Sequence, residues 1–372
     1  MKKIHLVVAP VIGLLVAIGC SQPMQRGAAP QGVAGGPKFV VDPFWPKPLK
    51  ENWIFAQIAG LAVDSRDRVW VLHRPGTLLA DEKGAKSAEP AARCCKLVPP
   101  VTEFDADGNY IQGWGGPGEG YDWPKNEHGL YVDPEGNVWV AGNDAADNMI
   151  LKFTREGKFV MQIGRPGKSE GSSSKAQLGR PANMVVDVAA NELYVADGYG
   201  NKRIVVFDSR TGAYKRHWGG YGSVPSDEKL APYNPSSPPS KQFANSVHCI
   251  RLSNDGLVYV CDRGNNRVQV FRKDGTFVSE ILGAQIGALD SGDLLFSPDA
   301  AQRHIYLSDG QRGQIHILSR SDGKLLGSFA RHGRYAGEFR SLHNLAIDSK
   351  GNIYTGEAGF GRRVQKFTLV AN

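Results

Sequence analysis

One pattern occurs six times along this chain of 372 residues. An apolar run ends in Asp or Ser, a tight turn often carrying Gly-Asn follows, and a second apolar run begins. The instances are Gly60-Leu61-Ala62-Val63-Asp64, Gly129-Leu130-Tyr131-Val132-Asp133, Asn183-Met184-Val185-Val186-Asp187, Cys249-Ile250-Arg251-Leu252-Ser253, Asp293-Leu294-Leu295-Phe296-Ser297 and Asn344-Leu345-Ala346-Ile347-Asp348. After most of them comes a third run, such as Arg203-Ile204-Val205-Val206-Phe207 or Arg267-Val268-Gln269-Val270-Phe271, and often a fourth after a Gly turn, such as Tyr110-Ile111-Gln112-Gly113-Trp114. Units of four short strands, at a period of roughly 40–50 residues plus insertions, bury their apolar faces by stacking on one another. The reading is an all-β fold, a six-bladed β-propeller.

The rest of the chain agrees. Its 45 glycines and 22 prolines punctuate short apolar stretches, and no long run has helical periodicity. The sixth unit lacks a fourth strand, which the segment around Phe39-Val40-Val41 could supply. That would close the ring and cover the exposed sheet edge. Insertions at 75–99 and 221–241, rich in Pro, Ser, Gly or charge, read as loops.

The N-terminus reads differently. Lys2 and Lys3 precede an apolar run over 4–18, then Gly19 and Cys20, which is the layout of an export signal and is short for a membrane span. Ala17-Ile18-Gly19-Cys20 resembles a bacterial lipobox, in which the cysteine is lipidated. The expected organisation is a signal peptide over 1–19, a flexible tether over 20–37 beginning at lipidated Cys20, and the propeller over 38–372. Ser21, rather than Asp, favours the outer membrane, with the propeller facing the periplasm. The membrane is met through the anchor alone. The net charge of +7 is scattered, without a basic stripe interleaved with aromatics, so nucleic acid is not implied. Cys94, Cys95, Cys249 and Cys261 would face an oxidising compartment. If Ser253 pairs with Leu257 across the turn, Cys249 lies opposite Cys261, so that a disulfide is possible there.

Five residues before the end of each first strand the six units carry Ala59, His128, Ala182, His248, Gly292 and His343. Histidine alternates with a small residue. First strands line the channel of a propeller, so alternate blades would aim three imidazoles at its axis. Three neutral histidines with an open fourth position are the donor set of a catalytic zinc site. Ten residues after the same reference point, units one and four carry Arg74 and Arg263, on opposite sides of a six-fold ring. They are placed to grip a carboxylate in bidentate fashion. In unit three, Asp197-Gly198-Tyr199-Gly200-Asn201 could aim the Tyr199 phenol at the same mouth.

The repeat turns and the Asn-x-Arg-Val/Ile-x-x-Phe segments resemble NHL repeats. With His128 in Glu127-His128-Gly129-Leu130, His248 in Val247-His248-Cys249, His343 in Leu342-His343-Asn344, Tyr199 in Asp197-Gly198-Tyr199, Arg74 in His73-Arg74 and Arg263 in Asp262-Arg263, the chain resembles peptidyl-α-hydroxyglycine α-amidating lyases through all six units. The resemblance implies a carbon–nitrogen lyase that cleaves a carbinolamide into an amide and glyoxylate. It implies zinc on the three histidines, Tyr199 as base, and Arg74 and Arg263 at the substrate. It also implies structural calcium near the carbonyls of Leu61 and Leu130. There Asn344 stands in place of the family's Asp, a neutral and weaker ligand for a hard cation, so weak calcium at most is expected. Gly200 and Tyr259 stand where the family's blade cysteines would be. A separate hydroxylating enzyme would have to supply a hydroxyglycine substrate, whether a small molecule or a peptide C-terminus. Two other readings are a metal-dependent lyase or hydrolase of another small substrate, and a non-catalytic propeller that binds a protein or envelope polymer.

Overall fold

The computed structural model describes residues 35–79, 82 and 95–370. Six four-stranded antiparallel sheets form the blades of a β-propeller. Their innermost strands are Gln57–Val63, Glu127–Val132, Asn183–Asp187, Val247–Leu252, Leu294–Phe296 and Leu342–Ile347 for blades one to six. The signal segment and Cys20 lie outside the described residues, as do most of the tether and Cys94. Cys95 is disulfide-bonded.

The repeated turn explains itself chemically. Asp133 ends its strand and accepts hydrogen bonds from the backbone N–H of Glu135 and Asn137 at 3.0 and 2.8 Å. Its second oxygen takes the Trp139 indole N–H at 2.9 Å. Gly136 sits at φ +87°, where a side chain would be strained. Asp64 with Trp70 and Asp348 with Tyr354 repeat the arrangement. The Asp of the pattern thus ties a turn to a buried aromatic ring.

Each blade packs on the next through an apolar cluster of its own. Trp70 and Leu72 of blade one meet Leu130 and Val140 of blade two, and Ala346 and Tyr354 of blade six meet Ile58 and Val71 of blade one. The ring closes as expected: Lys38–Asp42 pairs antiparallel with Val364–Val370 as the outermost strand of blade six. Phe39 on that strand stacks on Phe329 at 4.7 Å and meets Tyr306 edge-on at 5.5 Å, so closure also fastens blade six to blade five. Part of the first insertion is drawn into the fold, because Lys96–Leu97 pairs with Trp53–Ile54.

Candidate metal centre

The three histidines meet. One side-chain nitrogen from each of His128, His248 and His343 falls within 4.8 Å of the others, and the rings lie 4.9–5.1 Å apart, centre to centre. The strands bring them there through local irregularity. The pairing register shifts between Glu127 and Leu130, between Val247 and Cys249, and between Leu342 and Asn344, so each histidine sits at a β-bulge, which re-aims a side chain out of the pleat. Blades three and five have no such shift between their first two strands, whereas blade one has one at Ala59, between Ile58 and Gly60.

The small residues of the alternating pattern do more than leave room. His128 Nδ1 donates to the Ala182 carbonyl at 2.8 Å and His248 Nδ1 to that of Gly292 at 2.7 Å. His343 Nδ1 donates to Asn344 Oδ1 at 2.6 Å, with the Ala59 carbonyl also acting on it. The histidines of units two and four therefore lean on the small residue of the next unit, and that of unit six leans chiefly on Asn344. A proton fixed on Nδ1 leaves the Nε2 lone pair for a ligand. His248 Nε2 is buried with no hydrogen-bond partner, an atom placed to bind something other than protein. Burial, with the neighbouring histidines and arginines adding to it, keeps His128 and His248 well below the ordinary histidine pKa. Burial first, then Arg74 and Arg263, brings His343 down to about 3. All three are neutral at pH 7, as metal ligands must be.

Tyr199 stands over this ring, its hydroxyl 3.0 Å from His128 Nε2. Burial pushes its pKa up, while Arg263 and Arg74 pull it down. Its loop is anchored from below. Buried Asp197 accepts from Arg203 Nε at 2.9 Å and from Asn201 Nδ2 at 2.7 Å, and Asn245 Nδ2 reaches the Tyr199 carbonyl at 3.0 Å. Blade four repeats the device beneath Arg263, with Asp262 bound to Arg267 at 2.8 Å and to Asn265 at 2.7 Å. The Asn-x-Arg segments of the repeat thus support the loops that carry the site.

The arginines require a correction. A bidentate grip by Arg263 is not open, because its Nε and one terminal nitrogen already hold Asp290, at 2.7 and 2.9 Å. Arg74 is buried, with Nε on the Glu127 carbonyl at 2.6 Å and another nitrogen on Gln57 at 3.2 Å. Each guanidinium keeps only one nitrogen uncommitted to these bonds, so a shared anion would take one prong from each. Asp290 was invisible in the sequence because no repeat position marks it. So was Arg180, which holds the Asn143 carbonyl at 2.7 Å and lies 5.8 Å from the centre of the Tyr199 ring. Beside Tyr199 and Arg263 opens a cleft of about 450 Å³, bounded also by Tyr233, Leu289 and Asp290. Tyr233 belongs to the second insertion.

Cys249 and Cys261 stand opposite each other and form a disulfide, with Cα atoms 4.8 Å apart. It links the strand of His248 to the strand leading to Arg263. The calcium residues fare differently: Asn344 turns its one side-chain oxygen to His343.

A six-bladed propeller with three histidines converging at its centre, two of them buried and His343 half-buried, is the class that fold and site define. The NHL repeat family matches residues 245–271. Peptidyl-α-hydroxyglycine α-amidating lyase 1 of Drosophila melanogaster is 30% identical over 272 residues, 66% of this chain and 46% of that protein. Peptidyl-glycine α-amidating monooxygenase B of Xenopus laevis is 26% identical over 314 residues, 82% of this chain and 33% of that protein. The chain thus spans about a third of the frog relative and under half of the fly one. NHL repeat-containing protein 3 of Mus musculus is 27% identical over 286 residues, 73% of each chain. The protein is an amidating-lyase-like NHL-repeat propeller.

Proposed function

We propose that the protein is a zinc-dependent lyase that cleaves the N–C bond of a carbinolamide, releasing an amide and glyoxylate. The observation that carries this reading is the orphaned, buried Nε2 of His248 facing two equivalent nitrogens, beside a phenol and two arginines. The donor set suits zinc: three neutral imidazoles with their Nδ1 protons fixed by second partners. Bound there, zinc would supply Lewis acidity that makes a substrate hydroxyl easier to ionise.

The chain's own groups supply the rest. Arg74 and Arg263, each with one nitrogen left, hold the substrate carboxylate between them and fix the C–O and C–N bonds relative to Tyr199. Tyr199, ionised to the phenolate, receives the hydroxyl proton. The electron pair left on oxygen forms the carbonyl of glyoxylate as the C–N bond breaks, and the amide nitrogen takes a proton back from Tyr199. The arginines lower the cost of a phenolate in a site whose burial raises it.

Export through residues 1–19, lipid attachment at Cys20 and a periplasmic position on the outer membrane belong to the same proposal. A separate hydroxylating enzyme would supply the substrate. A non-catalytic propeller is the second reading, favoured by the similarity to NHL repeat-containing protein 3. Elemental analysis combined with glyoxylate release from an α-hydroxyglycine compound decides between them. About one zinc per chain, glyoxylate release, and a loss of about 10²–10⁴ in rate for Tyr199→Phe are expected. Protein that stays metal-free after zinc supplementation is the non-catalytic module, and full activity in Tyr199→Phe removes the phenol from the mechanism.

A further inference from the structure

One residue past the histidine position the six units carry Gly60, Gly129, Asn183, Cys249, Asp293 and Asn344. This is the tier at which the family resemblance implies calcium, with a carboxylate in unit six. Here unit six offers an amide, and the carboxylate stands in unit five as Asp293. Asp293 is buried, and its partner is a side chain. Arg251, from the innermost strand of blade four, places one terminal nitrogen 2.7 Å from Asp293 Oδ1 and the other 2.7 Å from Asn183 Oδ1. The second nitrogen also reaches the Ile250 carbonyl at 2.9 Å. The other Asp293 oxygen accepts the Leu345 N–H at 3.0 Å.

We infer that the guanidinium of Arg251 is the structural cation of this tier, and that the propeller needs no calcium to hold its histidine ring. The side-chain oxygens a divalent ion would recruit in this tier are already engaged: both of Asp293, the Asn183 amide oxygen, and the Asn344 oxygen turned to His343. That leaves such an ion only backbone carbonyls such as those of Leu61 and Leu130. Such an ion would also face a fixed positive charge in a site of low dielectric. A guanidinium, planar and always charged, bridges two acceptors in blades three and five without a bound ion.

The position of this bridge ties it to the metal centre. Asn183 follows Ala182, whose carbonyl holds His128; Asp293 follows Gly292, whose carbonyl holds His248. Leu345 lies two residues past His343. One guanidinium–carboxylate pair thus links blades three to six directly beside the groups that set the imidazoles. Groups that orient metal ligands typically contribute about 10- to 100-fold to metal affinity.

The test uses the full chain loaded with zinc and dialysed with or without millimolar calcium, followed by elemental analysis and thermal melting. No stoichiometric calcium and an unchanged Tm are expected; one calcium per chain, or a Tm that rises with calcium, overturns the inference. Arg251→Met is expected to weaken zinc binding by about 10- to 100-fold, and unchanged zinc affinity would overturn the link to the histidines. Should that variant fail to fold, Arg251→Lys, which keeps a cation but loses the fork, is expected to weaken zinc binding as well, and the calcium measurement on the unaltered chain stands by itself. Neither readout uses lyase activity, so this inference and the proposed reaction fail separately.

Discussion

Removing zinc and removing His248 probe the same nitrogen from two sides. In the metal-free protein, His248 Nε2 is a buried acceptor without a partner, a state that costs about 1–3 kcal/mol. His248→Ala relieves that cost but deprives the Gly292 carbonyl of its donor, a loss of about the same size. The two offset, and what remains is the vacated volume, about 2–5 kcal/mol. With zinc at about a thousand times its Kd, the unaltered protein gains about 4 kcal/mol, and the variant gains almost none of it. In a domain this large 1 kcal/mol moves Tm by about 1–2 °C, so zinc should raise the wild-type Tm by roughly 4–8 °C and leave His248→Ala nearly where it was. Four melting curves measure this: each protein stripped and zinc-replete. An equal deficit for the variant in both conditions, or a wild-type Tm indifferent to zinc, would refute the assignment of Nε2 to a metal.

Three other perturbations have expected outcomes. A Cβ added at Gly198 would lie 2.0 Å from the Val247 carbonyl oxygen, so Gly198→Ala must shift either the Tyr199 loop or the strand before His248; a lower Tm and at least a tenfold loss of glyoxylate release are expected, and wild-type values for both would show that the strands yield freely. Arg203→Ala strands Asp197 as an unpaired buried charge and should cost about 3–5 kcal/mol in urea unfolding, whereas a loss under about 1 kcal/mol would mean that water reaches Asp197. Hydrogen bonds from Arg216 chiefly hold the Glu192 carboxyl at about 2. A folded-state pKa below the unfolded one stabilises above the unfolded value and fades as pH falls through the folded one, so the Tm advantage of wild type over Glu192→Gln should be full at pH 7 and vanish near pH 2. A constant difference across that range would contradict the coupling.

The architecture was legible because a propeller writes its period into the sequence: the Asp or Ser of each turn, the Gly-Asn that often follows and the Arg of the third strand recur where the backbone recurs. The missing fourth strand of blade six was legible for the same reason, since a ring of identical units has one gap and one unassigned apolar segment to fill it. The three histidines were found by comparing equivalent positions, a method that works only for groups that share a register. It could show that small residues alternate with histidine but not that their carbonyls accept the Nδ1 protons, because a backbone oxygen leaves no trace in residue type. Nor could it reveal the bulges that aim the imidazoles, which are matters of register rather than composition. Asp290 and Arg251 escaped for a related reason: each acts by reaching across to a neighbouring unit, and a repeat pattern describes each unit as though it stood alone.

That difference bears on how such a site is built on a six-fold scaffold. The backbone repeats every blade, but the hydrogen bonds do not. In blades two and four the histidine bonds to the small residue of the odd blade that follows, and in blade six His343 bonds to its own neighbour Asn344, with the Ala59 carbonyl of blade one acting on it as well. Converting the ring from six-fold to three-fold in this way presents three equivalent nitrogens to one point, the number that leaves a tetrahedral ion one position for substrate. The asymmetric groups are then added singly: Tyr199 from blade three, the Arg263–Asp290 pair from blades four and five, and Arg251 beneath them. In the proposed reaction, specificity resides in Tyr199 and the Arg263–Asp290 pair, since the three-fold core, braced by Arg251, would hold an ion without those two additions.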